Sequence, residues 1–87
     1  MNARKTAREA LVSILVKDCK IDAAAISDDA RLQDDLGLDS MTLLNLALEA
    51  ENFLGCPLDE DPENPPMTVR ELIDLVALRL EEQRHVA

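Results

Sequence analysis

Eighty-seven residues form one domain, 1–87, near the small end of what folds without disulfides or metals. Apolar residues make up 47% of the chain but aromatic residues only 1%, with Phe53 alone, which argues against a β-sandwich and removes the stacking side chains of single-strand nucleic-acid binders. The net charge of −9 is concentrated in residues 21–67, where twelve acidic side chains stand against Arg31 alone; nucleic acid and anionic lipid are repelled there and basic protein surfaces attracted.

In chain order, the spacing predicts a first helix over residues 3–19. Ala7, Leu11, Ile14, Leu15 and Cys19 recur on one face, while Arg4, Lys5, Arg8 and Lys17 lie outside. From Lys20 to Asp39 the chain reads as a long connection, with Ile21, Ile26, Leu32, Leu36 and Leu38 as apolar anchors without a clean period. Connections of that length in small domains are uncommon and usually functional.

The second helix, over residues 40–54, carries two apolar stripes. At about 100° per residue, Leu43, Leu46, Ala47, Ala50 and Leu54 share one face, and Met41, Leu44 and Leu48 share another, roughly opposite. A helix buried on every side is the alternative, but a chain this short has little material to wrap one. The second stripe is therefore expected to be at least partly exposed and to serve as an interaction surface. Gly55 closes the helix in the position of a left-handed cap and Pro57 follows as a stop.

Residues 58–66 hold one short helical turn at most, because Pro65 and Pro66 cannot continue it. The acidic residues there lack the alternation, central Gly and terminal Glu of a calcium loop. Thr68 with Glu71 forms a capping box for a last helix, Met67 and Leu72 have the spacing of a hydrophobic staple, and Val69, Leu72, Ile73, Val76 and Leu80 make its inner face. The tail beyond Glu81 is expected to fray. The fold class is all-α: a small bundle of three main helices, a possible short fourth turn, and a long loop between helices one and two.

Cys19 and Cys56 fit no metal spacing and no disulfide framework. Arg4, Lys5 and Arg8 are not followed by the apolar stretch and cleavage pattern of a signal peptide, and no segment reaches membrane-spanning length. The expectation is a cytoplasmic monomer that neither inserts into membranes nor binds nucleic acid.

The most informative stretch is Asp34-Asp35-Leu36-Gly37-Leu38-Asp39-Ser40-Met41. Gly37 permits a positive φ, Leu36 and Leu38 can drop into a core, and Asp39 and Ser40 are both good residues to start a helix. A phosphate on Ser40 would meet the free N–H groups and the positive end of the helix dipole. A catalytic serine requires a base and an orienting group; the only histidine, His85, lies three residues from the end and no Gly-x-Ser-x-Gly elbow is present. An enzyme is therefore rejected.

The run Asp35-Leu36-Gly37-Leu38-Asp39-Ser40-Met41, with about equal lengths of chain on either side, resembles the modification site of acyl carrier proteins. The resemblance covers nearly the whole chain, to about Leu80. It implies that Ser40 carries 4′-phosphopantetheine through a phosphodiester, placed there from coenzyme A by a phosphopantetheinyl transferase, and that the arm's thiol holds acyl groups as thioesters. It implies a stand-alone carrier in fatty acid, polyketide or specialised lipid biosynthesis, visited by acyl-transfer, ketosynthase or ligase-type enzymes with basic docking surfaces. Asp35, Asp39, Met41, Leu44, Leu48 and Glu51 are the expected partner-binding residues. An acyl chain is expected to fold back beside the second helix, where Ala47 and Ala50 leave room. Asn45, Asn52 and Thr42 stand where fatty-acid carriers often place acidic residues, which makes a specialised pathway at least as well supported as the housekeeping one. The alternative from another class is a small acidic helical adaptor for a partner protein, with Ser40 only a helix cap.

Overall fold

The computed structural model describes residues 2–85. Three helices, α1 (Ala3–Lys17), α2 (Ser40–Leu54) and α3 (Val69–His85), enclose one core, and a 3₁₀ turn, Ala23–Ala25, interrupts the connection between α1 and α2. Among the described residues no strand is formed; Arg31 and Thr68 make an isolated antiparallel bridge.

The Asn2 side chain starts α1 by accepting from the N–H groups of Arg4 and Lys5 at 3.0 and 3.3 Å. The helix buries Ala3, Ala7, Leu11 and Leu15, and ends at Lys17 rather than Cys19. Lys20 takes the left-handed conformation, φ 61°, and the Ile21 N–H reaches back to the Leu15 carbonyl at 3.0 Å. The left-handed angle is reached without glycine, at a backbone cost of about 1–2 kcal/mol. The short helical turn allowed for residues 58–66 is not there: Asp61 to Asn64 form only a turn, and the extra helical turn lies at Ala23–Ala25 instead.

Thr68 and Glu71 cap α3 as a capping box, Thr68 Oγ1 accepting from the Glu71 N–H at 3.2 Å while Glu71 Oε1 accepts from the Met67 N–H, also at 3.2 Å. Met67 is 54% exposed, so the staple contributes little burial. Val69, Leu72, Ile73 and Val76 are buried as expected, Leu80 half so. The expected fraying after Glu81 is corrected by the helix continuing to His85, with Gln83 Nε2 donating to the Leu54 carbonyl at 2.7 Å; Val86 and Ala87 lie outside the described residues.

Asp28 links three parts of the chain. Its carboxylate pairs with Arg8 of α1 and lies 4.0 Å from Arg70 of α3, and its carbonyl accepts the Arg70 N–H at 2.9 Å. The hydrogen bond from Arg8, with the guanidinium charges of Arg8 and Arg70, holds the Asp28 carboxyl below its ordinary value of 3.8. A carboxylate with a depressed folded pKa stabilises the fold fully above the unfolded value and loses that contribution as pH falls through the folded one. Asp28→Asn should therefore lower the melting temperature at neutral pH. The gap to wild type should close as pH drops below 3.8, in melts followed by circular dichroism from neutral to about pH 2. A gap that persists at the acid end would show that the loss comes from the altered side chain's packing and neutral hydrogen bonds, not from the carboxylate's charge.

Candidate functional site

The chain approaches Ser40 along a connection whose backbone is tied to the start of α3. Leu32 N–H donates to the Met67 carbonyl at 2.9 Å, and Val69 N–H to the Ala30 carbonyl at 3.0 Å. Residues 31–37 then wind tightly, with Leu36 N–H donating to Arg31 and Gly37 N–H to Gln33, both at 3.0 Å. Gly37 has φ 70° with nothing within 4 Å of where a Cβ would stand, so its backbone angle, not crowding, calls for glycine. The reversal lets Leu36 and Leu38 enter the core, both buried, and sends Asp39 back to the surface.

Asp39 is extended, with ψ 178°, and its Oδ1 accepts the Thr42 N–H at 2.8 Å. It is the N-cap of α2. Ser40 is the first helical residue and is exposed, which replaces the reading of Ser40 as a cap. The Thr42 hydrogen bond, more than any charge, holds the Asp39 carboxyl below its ordinary value, so it stays ionised beside the serine. A phosphate ester on Ser40 Oγ fits this position: the first turn presents N–H groups with no carbonyl behind them, and solvent lies beyond.

The other acidic candidates have structural partners as well. Asp35 Oδ2 accepts the Arg31 N–H at 2.7 Å, and Glu51 Oε2 accepts the Leu58 N–H at 2.9 Å. Each carboxylate fixes a piece of backbone. Asp34, which was not singled out from the sequence, is exposed beside Arg31 at 3.5 Å.

The two stripes of α2 separate as their spacing predicts. Leu46, Ala50 and Leu54 are buried and Leu43 and Ala47 pack partly against the core, whereas Met41, Leu44 and Leu48 are 75%, 57% and 49% exposed. Glu51 is half-buried near the same side of the helix, roughly 16 Å along the axis from Ser40. Beside the inner stripe lies an apolar pocket of about 130 Å³, walled by Leu32, Leu43, Leu46, Ala47, Leu58 and Leu72 with Pro65 and Pro66 over it. An adjoining hollow of about 150 Å³ shares Leu32, Leu43 and the two prolines. Ala47 lines the pocket as expected; Ala50 does not, being fully buried against the bundle. Leu58 is the wall residue that the sequence hid, a lone leucine in a segment that otherwise reads as acid and proline.

Residues 9–62 match the family described as the phosphopantetheine attachment site. The acyl carrier protein MbtL of Mycobacterium tuberculosis is 36% identical over 78 residues, covering 90% of this chain and 93% of that one. An acyl carrier protein of Thermotoga maritima is 26% identical over 80 residues, 92% of this chain and 99% of that one. One of Amoebophilus asiaticus is 30% identical over 73 residues, 84% of this chain and 91% of its own.

The exposed stripe makes a direct prediction about stability. Truncating a buried leucine typically costs about 2–5 kcal/mol, whereas truncating exposed ones stays within about 0.5 kcal/mol. Leu44→Ala and Leu48→Ala should unfold in denaturant almost as wild type does, and Leu46→Ala should lose stability on the order of the larger figure. Equal losses at all three positions would place the outer stripe in a packed interface.

Proposed function

This chain belongs to the acyl carrier protein family, and we propose that Ser40 is the residue that carries its covalent 4′-phosphopantetheine. The observation that carries this reading is the placement of Ser40: an exposed hydroxyl on the first residue of α2, directly after a cap supplied by a different side chain. In the loading step, driven by a phosphopantetheinyl transferase, Ser40 Oγ forms the bond to phosphorus. The bond from that phosphorus to the adenosine bisphosphate half of coenzyme A breaks, and the hydroxyl proton passes to a base of the transferase. The arm supplies a terminal thiol that holds acyl groups as thioesters. This chain's residues supply the tether point, the surface and the local concentration at each partner.

Partners meet the exposed stripe Met41, Leu44 and Leu48 first, guided by the negative field of Asp35, Asp39 and Glu51. The stripe supplies apolar area and the carboxylates supply steering toward basic docking surfaces. The pathway is a specialised one within fatty acid, polyketide or modified-lipid chemistry, rather than housekeeping fatty acid synthesis. Thr42, Asn45 and Asn52, neutral on the helix that partners would read, support that choice.

Intact mass after incubation with coenzyme A and a promiscuous transferase tests the attachment. Wild type should gain one phosphopantetheine, and Ser40→Ala should gain none while keeping its helical circular dichroism, since alanine is the most favourable residue at a helical position. Modification of the alanine variant would overturn the assignment.

Asp39→Asn tests the steering. Asn caps a helix about as well as Asp, so the melting temperature should hold. The apparent Michaelis constant for loading should rise, and rise much less for Asp59→Asn. Both differences should shrink as the screening length falls from about 10 Å at 0.1 M salt to about 3 Å at 1 M. Salt-insensitive kinetics equal to wild type would leave Asp39 as a cap only.

A further inference from the structure

The connection between α2 and α3 contains no helix, yet one residue in it is buried and bonded from both flanking helices. Leu58 is 2% exposed and forms a wall of the pocket beside α2. Both of its backbone polar groups are taken by side chains from the two flanking helices. Its N–H donates to Glu51 Oε2 of α2 at 2.9 Å, and its carbonyl accepts from Arg79 Nε of α3 at 2.6 Å. Arg79 Nη2 also reaches the Asp59 carbonyl at 3.1 Å, and Nη1 is fixed by Glu82 at 2.7 Å. Charge-assisted bonds of this kind are short and directional, and here they converge on one peptide. On the other side Pro65 and Pro66 form the covering wall, with φ fixed by their rings.

We infer that Leu58, held by Glu51 and Arg79, limits the size of the acyl group this protein shelters, admitting a short saturated chain and leaving longer or charged groups outside. The inference rests on the reading that the arm is attached at Ser40. A pocket of loosely held loop would swell to suit its tenant; one whose wall is hydrogen-bonded to both neighbouring helices does not yield as easily. The pocket's volume of about 130 Å³ compares with a dry cavity of about 150 Å³ that accommodates benzene, or six carbons, and the adjoining hollow of about 150 Å³ is the room left for a slightly longer chain. Its lining is leucine, alanine and proline with Glu60 as the polar contributor, so a carboxylated acyl group would be buried there without a partner. Leu58 is the size-determining wall; Glu51 and Arg79 are positioning residues that act through it.

The test loads the protein with butanoyl, hexanoyl, octanoyl and decanoyl arms from the matching acyl-coenzyme A thioesters. Intact mass reports loading, and two readouts follow: the rate of thioester cleavage by hydroxylamine and the methyl NMR shifts of Leu43, Leu46 and Leu58. In wild type, protection and methyl shifts should grow up to hexanoyl or octanoyl and fall away at decanoyl. Leu58→Ala and Arg79→Met should move that cut-off to longer chains, and Ala47→Leu should move it to shorter ones. Glu51→Gln keeps an acceptor for the Leu58 N–H and should keep the cut-off, whereas Glu51→Ala should lengthen it, which separates positioning from the charge used in docking. Where Leu58→Ala fails to fold, Arg79→Met and Ala47→Leu decide. Protection that ignores chain length, or one cut-off shared by wild type, Arg79→Met and Ala47→Leu when all are loaded and folded, overturns the inference. Failure of wild type to take up any arm at Ser40 overturns the attachment reading instead, and this one with it.

Discussion

The placement of Ser40 depends on a short tie between two irregular segments. A long connection without regular structure has many backbone groups to satisfy, and unpaired ones are costly once buried. Residues 28–32 solve this by bonding to residues 67–70: Leu32 to Met67, Val69 to Ala30, and Arg70 to Asp28. The bridge fixes where the chain stands when it turns at Gly37, and Leu36 and Leu38 then set which way α2 leaves. Without it the motif around the serine would still be a turn and a cap, but not one at a defined place on the bundle.

Charge is divided along the same lines. Two of the four basic residues of α1 pair with acidic partners, Arg4 with Asp74 of α3 and Arg8 with Asp28 of the connection. The negative field along the approach to Ser40 and the face of α2 is opposed mainly by Arg31, itself beside Asp34. Asp35, Asp39 and Glu51 each bond a backbone N–H, so they are oriented without being neutralised. On the proposed function, a field built from fixed carboxylates would draw a basic partner at distance and the exposed leucines would decide the fit on contact.

How much of this was legible in the sequence follows from where the deciding forces act. The bounds of α2 were readable because both are local: Asp39 caps one end and Gly55 takes φ 75° at the other. The division of its faces was readable because it depends only on helical period. The end of α1 was not, since Lys20 adopts a left-handed angle that nothing in its side chain favours. The last turn of α3 looked like a free tail because Gln83 finds its partner at Leu54, far away in sequence. Ala50 looked like pocket lining on volume alone, but it is fully buried in the core; helix spacing cannot tell which small residue faces a neighbour and which faces a gap.

The segment 55–66 shows how tertiary bonds can do the work of secondary structure. It holds all four prolines of the chain, at positions 57, 62, 65 and 66, so no ladder of backbone bonds can run through it. Its fixed points come from side chains: Glu51 and Arg79 on Leu58, Arg79 on Asp59, Gln83 on Leu54. These anchors share no residue with the tie between 28–32 and 67–70 that positions Ser40. The end of the bundle that presents Ser40 and the Leu58 wall of the pocket are thus held by separate groups of hydrogen bonds. A change in one can leave the other in place, since effects at sites without shared partners add nearly independently. A carrier built this way can keep its loading site while the pocket beside it is resized.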